Sequence, residues 1–190
     1  MKNIAIFASG NGSNAEAIAR YFANYKNICV KCVLSNRHNA GVHQRMEQLN
    51  IPSYSFSKEE WQDAHKITDF LKKENIELIV LAGFLAKIEK PILSAFQGNI
   101  INIHPSLLPK YGGKGMWGHH IHEAVIAAGE TQSGITIHYI DENIDEGRII
   151  FQTSCDVLPG DTPDTLAERI HKLEHRYFPE IIEKILGKEI

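Results

Sequence analysis

Short apolar runs and longer amphipathic stretches alternate along this chain. Runs rich in β-type residues stand at IAIFAS (4–9), ICVKCVLS (28–35), LIVLAG (78–83) and IINIH (100–104). Between them apolar residues recur at helical spacing over Asn14–Tyr25, Gly41–Asn50, Glu59–Glu74 and a short Pro91–Phe96. Strands that alternate with helices predict right-handed βαβ units and a parallel sheet covered by helices on both faces. After Tyr111 the pattern changes. A glycine-rich loop leads to a helix near His119–Ala128. Two strand-like runs, GITIHYI (134–140) and RIIFQTSCDV (148–157), then flank the acidic turn DENIDEG and read as an antiparallel hairpin. An amphipathic helix from Pro163 to about Leu186 follows. No repeat, linker or low-complexity tract interrupts the pattern, so one α/β domain over 1–190 is expected, with a parallel half (1–110) and a loop, helix, hairpin and helix half (111–190).

Composition narrows the functional classes. The 190 residues suit one sizeable domain, and a net charge of -3 gives no electrostatic footprint for nucleic acid. No apolar run approaches the ~20 residues that a membrane helix needs. The opening MKNIAIFASGNG turns polar too soon for a signal-peptide core, which points to the cytoplasm. Three cysteines make no disulfide framework. Cys29 and Cys32 form a CxxC, but in a strand positions i and i+3 face opposite sides, which suits packing better than redox or zinc chemistry. His119, His120 and His122 fit no metal-ligand spacing, so no metal is expected.

Three segments carry candidate chemistry. SGNGSN (9–14) joins the first strand to the first helix. Gly10 and Gly12 permit close backbone approach, Ser13 or Asn14 can cap the helix, and a helix N-terminus favours an anion such as phosphate. Asn102 and His104, two apart at the end of a buried strand, project to one side, where ligands of open α/β sheets bind. An amide donor beside an imidazole suits stabilisation of an oxyanion and proton transfer. DENIDEG supplies Asp141, Glu142, Asp145 and Glu146 as possible partners of that imidazole, and spacing does not choose among them.

SGNGSN, VLAGF, NIHPSLLPKYGGKGM, GITIHYIDENIDEGRII and LEHRYFPE occur in this order over nearly the whole chain. In these segments the chain resembles the folate-dependent formyltransferase superfamily. NIHPSLLP marks the superfamily, while SGNGSN with EHRYFP narrows the likeness to its phosphoribosylglycinamide (glycinamide ribonucleotide) branch. The resemblance implies a single-domain Rossmann-like open sheet. It also implies transfer of a formyl group from 10-formyltetrahydrofolate, as co-substrate, to the amine of glycinamide ribonucleotide in purine biosynthesis. Size favours that branch: methionyl-tRNA formyltransferases add a C-terminal domain, and formyltetrahydrofolate hydrolases an N-terminal one.

Carried onto this sequence, the resemblance makes Asn102, His104 and Asp145 catalytic, with Asp145 raising the pKa of His104. Gly12, Ser13 and Asn14 become the phosphate cradle, while His171 and Glu174 serve the ribose-phosphate side. Leu85, Ala86, Lys87 and Ile88, together with Asn102, line the folate pocket. Many relatives carry an arginine where this chain has Ala86, which leaves mainly backbone contacts to the pterin. Lys58 is a candidate cation for the folate carboxylates. Direct attack by the amine needs no side-chain nucleophile, and neither Ser9 nor Ser13 has an evident base. Partners are then two small molecules, with the chain a monomer or homodimer. Two other readings are a sugar-nucleotide N-formyltransferase and a non-catalytic folate or nucleotide sensor. The phosphate turn paired with Glu174 argues against the first, and the triad against the second.

Overall fold

The computed structural model describes residues 1–188, which form two compact units, the first ending at Ile101 and the second starting at Asn102. The division falls inside a strand, whereas the change of pattern in the sequence lies beyond Lys110.

In the first unit β1 (Lys2–Phe7), β2 (Ile28–Ser35), β3 (Ser53–Ser55) and β4 (Ile76–Leu81) run parallel in the order β3-β2-β1-β4. Ile4 to Phe7 are fully buried, as the continuous apolar run of a doubly covered parallel strand requires. The helices are α1 (Ser13–Phe22), α2 (Val42–Gln48), α3 (Lys58–Asp63), α4 (His65–Lys73) and α5 (Lys90–Ala95). Along α1 the buried residues Ala15, Ile18, Ala19 and Phe22 form one stripe at helical spacing.

The structure departs from the sequence reading in places that have physical causes. The helix expected over Glu59–Glu74 is two helices, because Ala64 takes a left-handed conformation at φ 58°. That conformation is unfavourable for alanine. Buried contacts offset it: Trp61 meets Phe7 edge-on at 5.4 Å and Phe56 at 6.1 Å, and its indole N–H donates to the Ser35 carbonyl. β3, at three residues, is too short to show a period. In β2 a register shift leaves Lys31 out of the ladder with β1. Cys32 is buried there and its thiol is pushed up to about 12 by that burial, so it packs as an inert small hydrophobe.

The second unit begins within β5 (Ile100–His104) and continues with α6 (His119–Ala127), β6 (Gln132–Tyr139), β7 (Ile149–Asp156) and α7 (Pro163–Gly187). β6 and β7 form the expected antiparallel hairpin, with a register shift between Ile137 and His138. α7 starts in a Thr162–Thr165 capping box and buries Leu166, Ile170, Phe178 and Ile182, and it packs on α6 and β6. Among the described residues no helix is long and apolar enough to cross a membrane.

The first βα turn differs from expectation in its cap. α1 begins at Ser13, and its N-cap is Gly12, at φ 78° and without a side-chain cap. Neither Ser13 nor Asn14 serves as the cap, because the left-handed turn at Gly12 brings the helix start one residue early. Gly12 is required twice over. Its φ suits glycine, and a Cβ there would lie 2.5 Å from Val42 Cγ2. We expect Gly12→Ala to lower stability by about 1–3 kcal/mol, read as a fall in urea midpoint at unchanged m-value.

Candidate active site

The Asn102–His104 pair is built by a short strand running into a clamped loop. In β5, Ile100, Ile101 and Ile103 are buried, Asn102 is half-buried and His104 is 4% exposed. Beyond it the Ser106–Leu108 segment is fastened to the hairpin through a buried hydroxyl. Thr136 Oγ1 donates to the Ser106 carbonyl at 2.7 Å and accepts from the Leu108 N–H at 3.0 Å. Gln152 donates to both Thr136 Oγ1 and the Leu108 carbonyl, each at 2.8 Å. Ser106 Oγ donates to the Lys110 carbonyl at 2.7 Å and closes the turn.

Asp145 reaches the same place from the hairpin loop. Its own backbone is left-handed, at φ 59°, a conformation uncommon for a residue with a side chain. Two residues on, Gly147 presses on the Tyr139 carbonyl, where any Cβ would come within 1.8 Å. The Asp145 carboxylate accepts the Gly113 N–H at 2.9 Å. Its Oδ2 stands 3.6 Å from His104 Nδ1 and its Oδ1 stands 3.7 Å from His138 Nε2. The structure thus brings together Asn102, His104 and Asp145, and of the four acids in DENIDEG it selects Asp145.

His138 was not among the sequence candidates, although a histidine in the apolar run GITIHYI is the signal that marks it. Its side chain is fully buried. Nδ1 lies 3.0 Å from the Tyr139 carbonyl, which can only accept, so Nδ1 carries the proton. Nε2 then accepts the Asn102 side-chain N–H at 3.2 Å. This works only for a neutral ring. Burial supplies that condition by lowering the His138 pKa from its ordinary value, while the Tyr139 carbonyl and Asp145 pull the other way. His138 therefore fixes which way the Asn102 amide points.

Around His104 the accounting differs. Nε2 lies 2.8 Å from the Tyr111 carbonyl and Nδ1 faces Asp145. Both neighbours are acceptors, so the imidazolium is the form in which each ring nitrogen has a hydrogen to offer. The Nδ1–Asp145 distance exceeds hydrogen-bond length, which leaves Nδ1 as the less committed nitrogen.

The residues given to the ligands lie as follows. Gly12, Ser13 and Asn14 are half-buried at the start of α1. Their turn is braced by α2, where the Val42 N–H donates to the Gly10 carbonyl at 3.1 Å and Arg45 Nε donates to the Asn11 carbonyl at 2.8 Å. Arg45 also pairs with Glu16. Leu85 and Lys87 are exposed, Ala86 is half-buried and Ile88 is buried. The Leu85 N–H donates to Ser9 Oγ at 2.8 Å, and Ser9 Oγ donates to Asn36 Oδ1 at 2.7 Å. Ser9 is thus a strut between the loops that follow β1, β2 and β4. Lys58 is exposed at the first position of α3.

Glu174 is 4% exposed on α7 and accepts from His171 Nδ1 at 2.8 Å. That bond raises the His171 pKa against the opposing effect of burial. His122 on α6 is buried and is pushed down to about 4, chiefly by burial, although Glu174 favours its charge. His119 stands 3.7 Å from both Glu123 and Asp164, and His120 stands 3.1 Å from Glu123. Among the described residues no group of three or more histidines, cysteines or acids is placed to hold a metal ion.

With this geometry in place, four likenesses bear on it. The formyl transferase family model matches residues 2–182. The chain belongs to the formyl transferase family. The phosphoribosylglycinamide formyltransferase of Bacillus subtilis is 39% identical over 98% of this chain and 96% of its own length. The trifunctional purine biosynthetic protein adenosine-3 of Drosophila melanogaster is 38% identical over 98% of this chain, which spans 14% of that longer protein. The crystal structure of the Streptococcus pneumoniae TIGR4 phosphoribosylglycinamide formyltransferase superposes with a TM-score of 0.87 at 37% identity, covering 98% of this chain and 99% of that one. Within the family the chain falls with the phosphoribosylglycinamide formyltransferases; it is an enzyme that transfers a formyl group, and its fold is the Rossmann-like α/β fold of these relatives.

The buried histidine gives a testable pH dependence. In the unfolded chain His122 titrates near its ordinary ~6.5, while in the folded protein it stays neutral down to about 4. A depressed histidine costs nothing above pH 6.5 and costs stability as pH falls from there toward 4. The loss from His122 between pH 7 and pH 5 is on the order of 2 kcal/mol. In urea unfolding at the two pH values, His122→Gln should lose less stability than the unaltered protein by that margin.

Proposed function

We propose that the protein transfers the formyl group of 10-formyltetrahydrofolate to the primary amine of glycinamide ribonucleotide, a step of purine biosynthesis carried out in the cytoplasm. The observation that carries this reading is the convergence of Asn102, His104 and Asp145, with Asn102 oriented by His138, in a chain of this family. The neutral amine attacks the formyl carbon, a C–N bond forms, and negative charge gathers on the formyl oxygen. The second N–H of the Asn102 amide and the Nδ1–H of a protonated His104 stabilise that charge. As the tetrahedral intermediate collapses, the bond from the formyl carbon to N10 of the folate breaks. The proton of the attacking nitrogen passes to N10 through water ordered by Asp145.

Other parts of the chain support binding in this reading. The amides at the start of α1, with Gly12, Ser13 and Asn14, take the substrate phosphate. The buried Glu174, oriented by His171, takes the ribose hydroxyls. Leu85 to Ile88 and Lys58 serve the folate. A sugar-nucleotide amine would use the same three catalytic groups, but it would not need a terminal monophosphate at the α1 turn.

Two measurements test this reading. In a tetrahydrofolate-release assay, glycinamide ribonucleotide should be formylated and its dephosphorylated riboside should react far less efficiently. Equal kcat/KM for the two would remove the phosphate role of the turn. Among variants, Asn102→Ala should lower kcat by ~10²–10³ with little change in KM, because the amide acts mainly in the transition state. Asp145→Asn should also lower kcat, and its combination with His104→Ala should be little worse than the worse single variant. Multiplied losses would mean that Asp145 and His104 do not act as a unit.

A further inference from the structure

His104 is gripped on the side away from Asp145 by a backbone carbonyl, and that carbonyl belongs to an unusual residue. Tyr111 is left-handed, at φ 57°, although it is neither glycine nor asparagine. Its carbonyl faces His104 Nε2 at 2.8 Å in that conformation. Residues held this way persist only where their surroundings over-determine them. What holds Tyr111 is polar. Its phenol O–H donates to Glu130 Oε1 at 3.0 Å. The neighbouring Lys110 ammonium reaches the same carboxylate, at 2.9 Å to Oε1 and 3.2 Å to Oε2. A cavity of about 240 Å³ borders Lys110, Tyr111 and Glu130, so tight packing does not wedge the segment on that side. The Glu130 carboxylate, just past the end of α6, therefore gathers both side chains of the 110–111 step.

We propose that Glu130 and Tyr111 are positioning residues for formyl transfer: the Glu130 clamp holds Tyr111 left-handed, and the Tyr111 carbonyl fixes the His104 ring so that Nδ1 is its working nitrogen. This rests on the reading of His104 as the group that stabilises the oxyanion. The logic is that of a metal-bound or catalytic histidine whose second nitrogen is tied to a carbonyl, which sets both ring orientation and proton location. Releasing the clamp lets residue 111 relax to an ordinary conformation. Its carbonyl then turns away, and the His104 ring gains freedom when it should be preorganised.

The experiment compares Tyr111→Phe, Glu130→Gln and their combination with the unaltered enzyme, using full-length protein. Tyr111→Phe keeps the ring and loses the hydroxyl; Glu130→Gln keeps the shape and loses the charge. Each should lower kcat by about threefold to tenfold, the effect of one hydrogen bond, with KM for both substrates held within about twofold. The double variant should match the worse single one, since the residues act in series. In ¹⁵N spectra of histidine-labelled protein, the His104 Nε2 resonance should move in both single variants. An unchanged kcat together with an unmoved Nε2 resonance would overturn the proposal, as would a rise in KM alone. Failure of the underlying reading looks different. His104→Ala would then retain activity, while the Nε2 resonance would still report whether Tyr111 and Glu130 hold the ring.

Discussion

The second unit is organised around one carboxylate shared by two buried histidines. Asp145 stands 3.6 Å from His104 and 3.7 Å from His138, and two adjacent imidazolium ions in so dry a place would repel. The site resolves this by giving the rings different surroundings. His138 is fully buried, with its Nδ1 proton spent on the Tyr139 carbonyl, so it stays neutral and accepts from Asn102. His104 meets acceptors at both nitrogens. Burial and hydrogen-bond direction thus sort two chemically identical rings into one acceptor and one donor, a division of roles by environment.

Much of the local scaffold follows from this requirement. Asp145 must adopt a left-handed backbone to aim its carboxylate, and Gly147 must lack a side chain where the loop returns over the Tyr139 carbonyl. The register shift in the hairpin falls beside His138, as bulges do where a strand must re-aim a side chain. Thr136 and Gln152 fasten the 106–108 segment, so the loop beyond His104 starts from a fixed point.

The sequence carried the alternation of strands and helices because each run was long enough to show its period. It hid the break at Ala64, since nothing in an alanine announces a left-handed turn; the packing of Trp61 on Phe7 that accompanies the break joins residues distant in the chain. It hid β3, whose three residues cannot display an alternation. It suggested a capping role for Ser13 or Asn14, where the turn at Gly12 moves the helix start. At the site, Asn102 and His104 were legible as polar residues two apart on an apolar strand. The structure adds the geometry that places Asp145 beside His104 and leaves its three acidic neighbours aside. His138 could have been read from the same logic, as a histidine within an apolar strand. Tyr111 and Glu130 could not, because their contact joins loops distant in the chain.

The account depends most on His138 being a neutral acceptor for the Asn102 amide. The direct measurement is the ¹⁵N spectrum of histidine-labelled protein at neutral pH. The account predicts a neutral His138 with its proton on Nδ1 and an unprotonated Nε2. A doubly protonated ring, or a neutral ring with the proton on Nε2, would contradict it, because neither could accept the Asn102 N–H.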